Sequence, residues 1–105
     1  MSKQKKDGFS KHLKDEGIQD REVRKRITHV AKTLYEHGPL GSTELLKKVS
    51  KRSNRNWKPG DITDTIKTLE FLEFAKYDPR QAKYLLTSPG EHAVQGHYRD
   101  KHSLF

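Results

Sequence analysis

A chain of 105 residues, 30% of them hydrophobic and 34% charged, has room for one domain with a modest core and frayed ends. It contains no cysteine, which excludes disulfides and thiolate metal sites. The 22 lysines and arginines exceed the 14 acidic residues and give a formal net charge of +8. This excess indicates either an anionic partner, with nucleic acid the first candidate, or a basic domain without one, and composition alone does not choose.

Residues 1–19 form a basic arm with little apolar periodicity. Phe9 and Leu13 are four residues apart, which allows a short helical turn ending at Gly17. The arm lacks the apolar segment of a secretory signal, and no apolar run approaches the roughly 20 residues of a transmembrane helix. We therefore expect no membrane contact and a cytoplasmic location.

The clearest helical pattern in the chain covers residues 21–37. Asp20 is placed to cap its first turn, and Gly38-Pro39 stops it. Its apolar residues recur with the spacing of one helix face: Val23, Ile27, Val30, Ala31 and Leu34. The sequence therefore predicts an amphipathic helix here.

A second helix and a basic stretch follow. Ser42 offers an N-cap to a helix that turns Leu45, Leu46 and Val49 inward. Residues 47–58 then carry no acid and six cations: Lys47, Lys48, Lys51, Arg52, Arg55 and Lys58. We predict an enlarged, cationic loop leading to the third helix.

The third helix is predicted to begin at Asp61, as its cap. Its inward positions are Ile62, Ile66, Leu69 and Leu72. Thr63 and Lys67 fall on the outward face at about 100° per residue. Because residues 60–73 hold one lysine against four acids, this helix carries a net charge of −3, which opposes close approach to phosphates.

Beyond Leu72 the pattern changes to that of strands. Residues 74–77 and 82–86 are β-prone and flank Asp78-Pro79-Arg80-Gln81, which predicts a hairpin built on a type I turn. Ser88-Pro89-Gly90-Glu91 has the pattern of a capping box that opens a last helix around residues 92–95. We assign residues 20–97 to one domain and residues 98–105 to a loose tail.

This order of elements resembles a winged helix-turn-helix, an α+β but mostly helical fold with three helices, a two-stranded hairpin wing and a C-terminal helix. Roughly residues 23–95 are similar to small prokaryotic regulators of the MarR and PadR kind. The similar segments are Leu69-Glu70, Asp78-Pro79-Arg80, and Tyr84-Leu85-Leu86-Thr87 with Gly90. The resemblance implies a homodimeric transcriptional regulator of archaeal, viral or bacterial type that binds double-stranded DNA, with the third helix in the major groove.

Nine residues form the candidate nucleic-acid-binding set. The basic stretch and the hairpin tip would hold phosphates, and the third helix would supply a small share of base reading. The set is Lys51, Arg52, Asn54, Arg55, Lys58, Thr63, Lys67, Thr68 and Arg80.

Two alternatives compete with DNA binding. Gly38-Pro39-Leu40-Gly41 and Asn54-Arg55-Asn56-Trp57-Lys58-Pro59 resemble a winged-helix family of the archaeal and eukaryotic ribosomal small subunit. That resemblance implies an RNA-binding or ribosome-associated protein. The other alternative is a protein-interaction module whose charge only keeps it dissolved.

Aromatic and histidine residues suggest further roles. Trp57 fits the edge of a core better than a base-stacking position, and outward Phe71 either folds against the hairpin or makes a dimer contact. His92, His97 and His102 are spaced by five, which places neighbours on different helix faces, so we expect no metal or cofactor. We find no glycine-rich phosphate loop, nucleophile elbow or paired carboxylates and expect no enzyme.

Overall fold

The structure, a computed structural model, describes residues 13–15 and 17–102 of the chain. Its labelled elements are α1 (Arg21–His37), α2 (Ser42–Ser53), α3 (Pro59–Phe71), β1 (Ala75–Asp78), β2 (Lys83–Leu86) and α4 (Ser88–His102). The fold is therefore α+β and mostly helical. Its sheet consists of β1 and β2, which pair antiparallel.

The link between α1 and α2 also pairs with the hairpin. Leu40 forms an isolated antiparallel bridge with Tyr84 of β2. The amide of Leu40 donates to the Tyr84 carbonyl at 3.0 Å, and the amide of Tyr84 donates back at 2.8 Å. This bridge fixes the start of α2 beside β2.

A short helical turn at Leu13–Asp15 precedes α1. It ends at Gly17, whose φ of 101° lies in the left-handed region that favours glycine. The amide of Ile18 donates to the Leu13 carbonyl at 3.0 Å, which is one of the bonds of a Schellman cap. The predicted end of this turn is confirmed, and Leu13 is fully buried. Phe9 lies outside the described residues.

Helix α1 has the predicted boundaries because its signals are strong and local. The Asp20 carboxylate accepts from the Glu22 amide at 2.8 Å, which confirms the predicted cap. At the other end Gly38 has a φ of 81°, and its amide donates to the Leu34 carbonyl at 2.9 Å. All of the predicted inward residues are buried except Val23, which is partly buried and packs against the core.

Helix α2 differs from the prediction at both ends. Gly41 is the N-cap and Ser42 is already helical, so the predicted Ser42 cap is wrong. The helix continues to Ser53, because lysine, arginine and serine are compatible with a helix, and Asn54 ends it with a φ of 57°. Lys51 and Arg52 therefore belong to α2, and the connection to α3 shrinks to residues 54–58.

Trp57 lies in this connection and joins the hydrophobic core with 7% of its surface exposed. Its indole nitrogen donates to the hydroxyl of Ser53 at 2.8 Å. The polar end of the ring is satisfied while its apolar body is buried. The predicted place of Trp57 at the edge of the core is confirmed.

Helix α3 starts two residues before the predicted cap. Pro59 is its first residue, where a fixed φ and the lack of an N–H suit the first turn of a helix. Asp61 is thus the third helical residue, and its carboxylate accepts from the Lys58 amide at 3.0 Å. The prediction of Asp61 as N-cap is wrong, because the N-cap is Lys58. The helix ends at Phe71, which is 83% exposed and does not fold against the hairpin.

The hairpin turns at the predicted residues, Asp78-Pro79-Arg80-Gln81. The Gln81 amide donates to the Asp78 carbonyl at 3.2 Å, and the Asp78 carboxylate accepts from the Arg80 amide at 2.9 Å. The side chain of Gln81 also donates to this carboxylate. This bond, followed by the one from the Arg80 amide, lowers the pKa of Asp78 because both favour its charged form. The turn is thus fixed by local bonds.

Helix α4 begins one residue earlier than the predicted cap implies. Thr87, not Ser88, caps it: the Thr87 hydroxyl accepts from the Gly90 amide at 3.1 Å. Gly90 packs against the backbone of Phe74, the residue before β1. A Cβ at this position would lie 2.9 Å from the Phe74 carbonyl carbon, so a larger residue would have to displace the backbone. The helix runs to His102, so residues 98–102, predicted as loose tail, are helical.

Candidate nucleic-acid interface

Helix α3 and the hairpin form an open groove of about 470 Å³, which we call the α3–hairpin groove. Both walls supply polar groups, and the first residue of α2 completes the lining. The lining residues are Ser42, Thr63, Ile66, Lys67, Glu70, Tyr77, Ala82 and Tyr84.

Two tyrosines form the hairpin wall of the α3–hairpin groove. Tyr77 and Tyr84 face each other across the strands, with ring centroids 5.0 Å apart and planes tilted by 55°. They share a sheet face with Ala75 and Leu86, which are buried in the core. Tyr77 remains 44% exposed. Such a pair presents ring surface and hydroxyl groups to a bound molecule.

Neither tyrosine was predicted as a site residue. The signal was available, since strand alternation places Tyr77 on the face of Ala75, and the turn length sets the register that brings Tyr84 opposite. What the sequence alone did not provide was the side of the hairpin on which α3 packs.

The outward residues of α3 are exposed beside the hairpin. Thr63, Asp64, Lys67 and Glu70 are all exposed. The ammonium group of Lys67 has no ion-pair partner among the described residues. The Thr63 hydroxyl donates to the Pro59 carbonyl at 3.1 Å, which leaves its oxygen able to accept. Lys67 is therefore the group in the groove best placed to meet an anion.

The acidic residues of α3 lie at different places along the helix, so they do not all repel an anion bound in the groove. Asp61 is half-buried at the start of the helix, 3.9 Å from the guanidinium of Arg26 on α1. Glu70 lines the α3–hairpin groove, and Asp64 is exposed outside its lining. The groove itself therefore carries one ammonium and one carboxylate, a balance less unfavourable than the net charge of the helix suggests.

The basic connection is placed differently from the prediction. Arg52 pairs with Glu36 at 2.5 Å, and Arg55 pairs with Glu22 at 3.3 Å. Both acids lie on α1, so these two arginines contact α1 rather than lining the α3–hairpin groove. The reason is long-range: α2 packs along α1 and carries its C-terminal arginines onto that helix.

Of the nine predicted residues, the groove brings together Thr63 and Lys67. Arg80 lies at the turn of the hairpin that forms one wall and is exposed. Thr68 is partly buried, and its hydroxyl donates to the Asp64 carbonyl at 3.2 Å. The predicted residues outside the lining are Lys51, Arg52, Asn54, Arg55, Lys58, Thr68 and Arg80.

A cationic cluster, which we call the α1–α2 surface, lies where the end of α2 meets α1. Its members are Lys25, His29, Lys32, Arg52 and Arg55. Burial lowers the pKa of His29, and four neighbouring cations lower it further: Arg52, Lys32, Arg55 and Lys25. The lysines were visible in the sequence as the polar face of α1, but their proximity to the arginines depends on helix packing.

Comparisons with protein-family models, with curated proteins and with solved structures found no match. Within the described residues, no helix combines the length and the apolar character needed to cross a membrane. The same part of the chain contains no group of three histidine, aspartate or glutamate side chains that could hold a metal ion.

Proposed function

We propose that this chain is a winged helix-turn-helix protein that binds double-stranded DNA, with α3 as the reading helix and the hairpin as the wing. The observation that carries the proposal is the exposed outer face of α3 beside the hairpin, with Lys67 available for an anion. The order of the elements supports it, as does the Leu40–Tyr84 bridge, which adds a short third strand segment to the wing.

In this proposal, base reading is limited and comes from the groove. Lys67 would donate to a base edge or a phosphate, and Thr63 would contact a base edge near the start of α3. We assign no contact to Thr68, because it is partly buried and outside the lining. Glu70 repels phosphates but can accept from a cytosine amino group. Most of the affinity would come from the phosphate backbone.

Phosphate anchoring would come from exposed cations outside the groove lining. Lys51, Lys58 and Arg80 are exposed, and none of the three has an ion-pair partner among the described residues. Tyr77, which is exposed on the hairpin, would pack against a sugar. The protein would act as a small transcriptional regulator whose contacts position it on the duplex more than they specify a sequence.

Exchange of Lys67 for glutamate tests the proposal. We expect Lys67→Glu to weaken binding to duplex DNA about 30-fold, which corresponds to roughly 2 kcal/mol, because a contact is lost and a repulsion is added. The measurement is fluorescence anisotropy with labelled duplex DNA and with a structured RNA at low salt.

The matched control is Lys76→Glu. It makes the same change of charge on the hairpin face opposite Tyr77, because adjacent strand residues point to opposite faces. We expect a smaller loss from it. Equal losses for the two variants would remove α3 from the interface, and tighter binding to RNA than to duplex DNA would favour an RNA-binding winged helix.

One observation favours a second candidate, a protein-interaction module. Phe71 ends α3 with 83% of its surface exposed, and a large apolar side chain in this position is able to serve in a protein contact, including that of a homodimer. Absence of binding to any nucleic acid at low salt would favour this candidate. A change from dimer to monomer on Phe71→Ser, measured by sedimentation, would support a homodimer contact at this residue.

A further inference from the structure

We propose that the α1–α2 surface is a second binding surface for the phosphodiester backbone of a nucleic acid, separate from the α3–hairpin groove. The inference rests on the proposed function, since it assigns a second segment of the same class of ligand. None of the five residues of this surface lines the groove.

Two elements build the surface. Lys25, His29 and Lys32 follow one another at spacings of four and three, so they share one stripe of α1. Arg52 and Arg55 reach the same stripe from the end of α2 and from the turn after it, where they pair with Glu36 and Glu22. The surface thus presents two guanidinium groups and two ammonium groups around one imidazole.

This surface combines four permanent cations with two carboxylates of α1. Glu36 pairs with Arg52, and Glu22 pairs with Arg55 and Lys25. Glu22 lies 3.3 Å from Arg55 and 3.9 Å from Lys25. Burial lowers the pKa of His29, and the neighbouring cations of this surface lower it further.

The existing ion pairs leave the arginines exchangeable. The side chains in the Arg52–Glu36 and Arg55–Glu22 pairs are between 28% and 54% exposed. Pairs of this kind are weak because water screens them. A phosphate can accept two parallel hydrogen bonds from one guanidinium, so it can replace a carboxylate partner.

Loss of the two arginine charges is the first test. Arg52→Gln/Arg55→Gln in the full chain should weaken binding to a duplex of about three helical turns roughly tenfold, measured by anisotropy. The control Lys76→Gln/Lys83→Gln removes the same charge from the hairpin face away from Tyr77 and Tyr84 and should have a smaller effect. Equal losses would overturn the proposal.

Removal of the acids is the second test, and it predicts a gain. Glu22→Gln/Glu36→Gln should tighten binding several-fold, because the arginines lose competing partners. Glu73→Gln/Glu91→Gln makes the same change of charge at two exposed acids outside this surface. A gain no larger than that of the control would count against the second surface.

His29 provides a local readout by NMR. Bound phosphates should raise its pKa, since they offset the neighbouring cations.

The outcomes distinguish the second surface from the proposed function. If duplex binding depends on Lys67 while the pKa of His29 and the affinity of the arginine variants do not change, the second surface is wrong and the proposed function stands. If binding depends on the arginines but not on Lys67, the second surface stands and the groove is wrong. The stoichiometry of binding to duplexes of one and of three helical turns shows whether the α1–α2 surface binds a second duplex molecule or a further segment of the duplex that occupies the groove.

Discussion

Replacement of Trp57 by alanine is expected to lower the free energy of unfolding by about 4 kcal/mol. The ring is buried with 7% of its surface exposed and belongs to the main core. Its removal leaves a cavity between the end of α2 and the start of α3, and it leaves the Ser53 hydroxyl without the indole donor. Because a cavity in a close-packed core is only partly filled by relaxation, the loss exceeds the transfer free energy of the ring.

Urea denaturation followed by circular dichroism measures this loss. Trp57→Phe is the matched control, since it keeps most of the ring and removes the hydrogen bond, and we expect it to cost about 1 kcal/mol beyond the difference in packing. If Trp57→Ala left stability unchanged and instead weakened binding to single strands, Trp57 would be a base-stacking residue and its buried position would be contradicted.

The second large effect expected from the proposed function is a steep dependence of the affinity for duplex DNA on salt concentration. Taken together, the two proposals assign phosphate contacts to six cations. Lys67 lies in the groove, Lys51, Lys58 and Arg80 lie outside its lining, and Arg52 and Arg55 belong to the α1–α2 surface. Six neutralised phosphates give a slope of roughly −5 for log K against log salt, so affinity should fall about a thousandfold between about 50 and 200 mM salt. The release of condensed counterions causes this dependence.

Anisotropy titrations at four salt concentrations measure the slope. Arg52→Gln/Arg55→Gln should make it shallower by about 2, because two of the phosphate contacts are lost. A wild-type slope shallower than about −2 would mean that most of these cations do not touch the backbone. An unchanged slope in the double variant would place both arginines outside the interface.

Local signals made much of the fold predictable. Helix α1 has an acid that caps it, a strict apolar stripe and a Gly-Pro stop, and each acts within a few residues. The hairpin turn is similar, because Asp78 accepts bonds from the next residues of its own turn. Wherever the determining contacts were within four residues, sequence and structure agree on the element.

Helix starts were less predictable because several residues near each start can cap it. Ser42, Asp61 and Ser88 all have side chains suited to an N-cap. In the structure the N-cap lies one residue earlier for α2 and α4, at Gly41 and Thr87, and three residues earlier for α3, at Lys58. Which residue adopts the extended backbone depends on the strand or bridge that precedes it, as with Thr87, whose amide donates to Phe74.

The sequence predicted which residues of α3 point outward, but it did not predict which other elements lie beside them. Helical periodicity places Thr63 and Lys67 outward, and the structure agrees. Arg52 and Arg55 were expected in a loop beside α3, but α2 is longer and carries them to α1. No local pattern indicates that Glu36 and Glu22, 16 and 33 residues away, would be their partners.

The central claim is that the α3–hairpin groove contacts duplex DNA, and amide chemical-shift mapping of the wild-type chain tests it most directly. On addition of a short duplex, the account predicts the largest shifts at the amides of Thr63, Lys67, Tyr77 and Tyr84, with smaller ones at the far end of α3 around Phe71. Shifts that centre on Phe71 and leave Lys67 and Tyr77 unchanged, or no shifts at low salt, would contradict it.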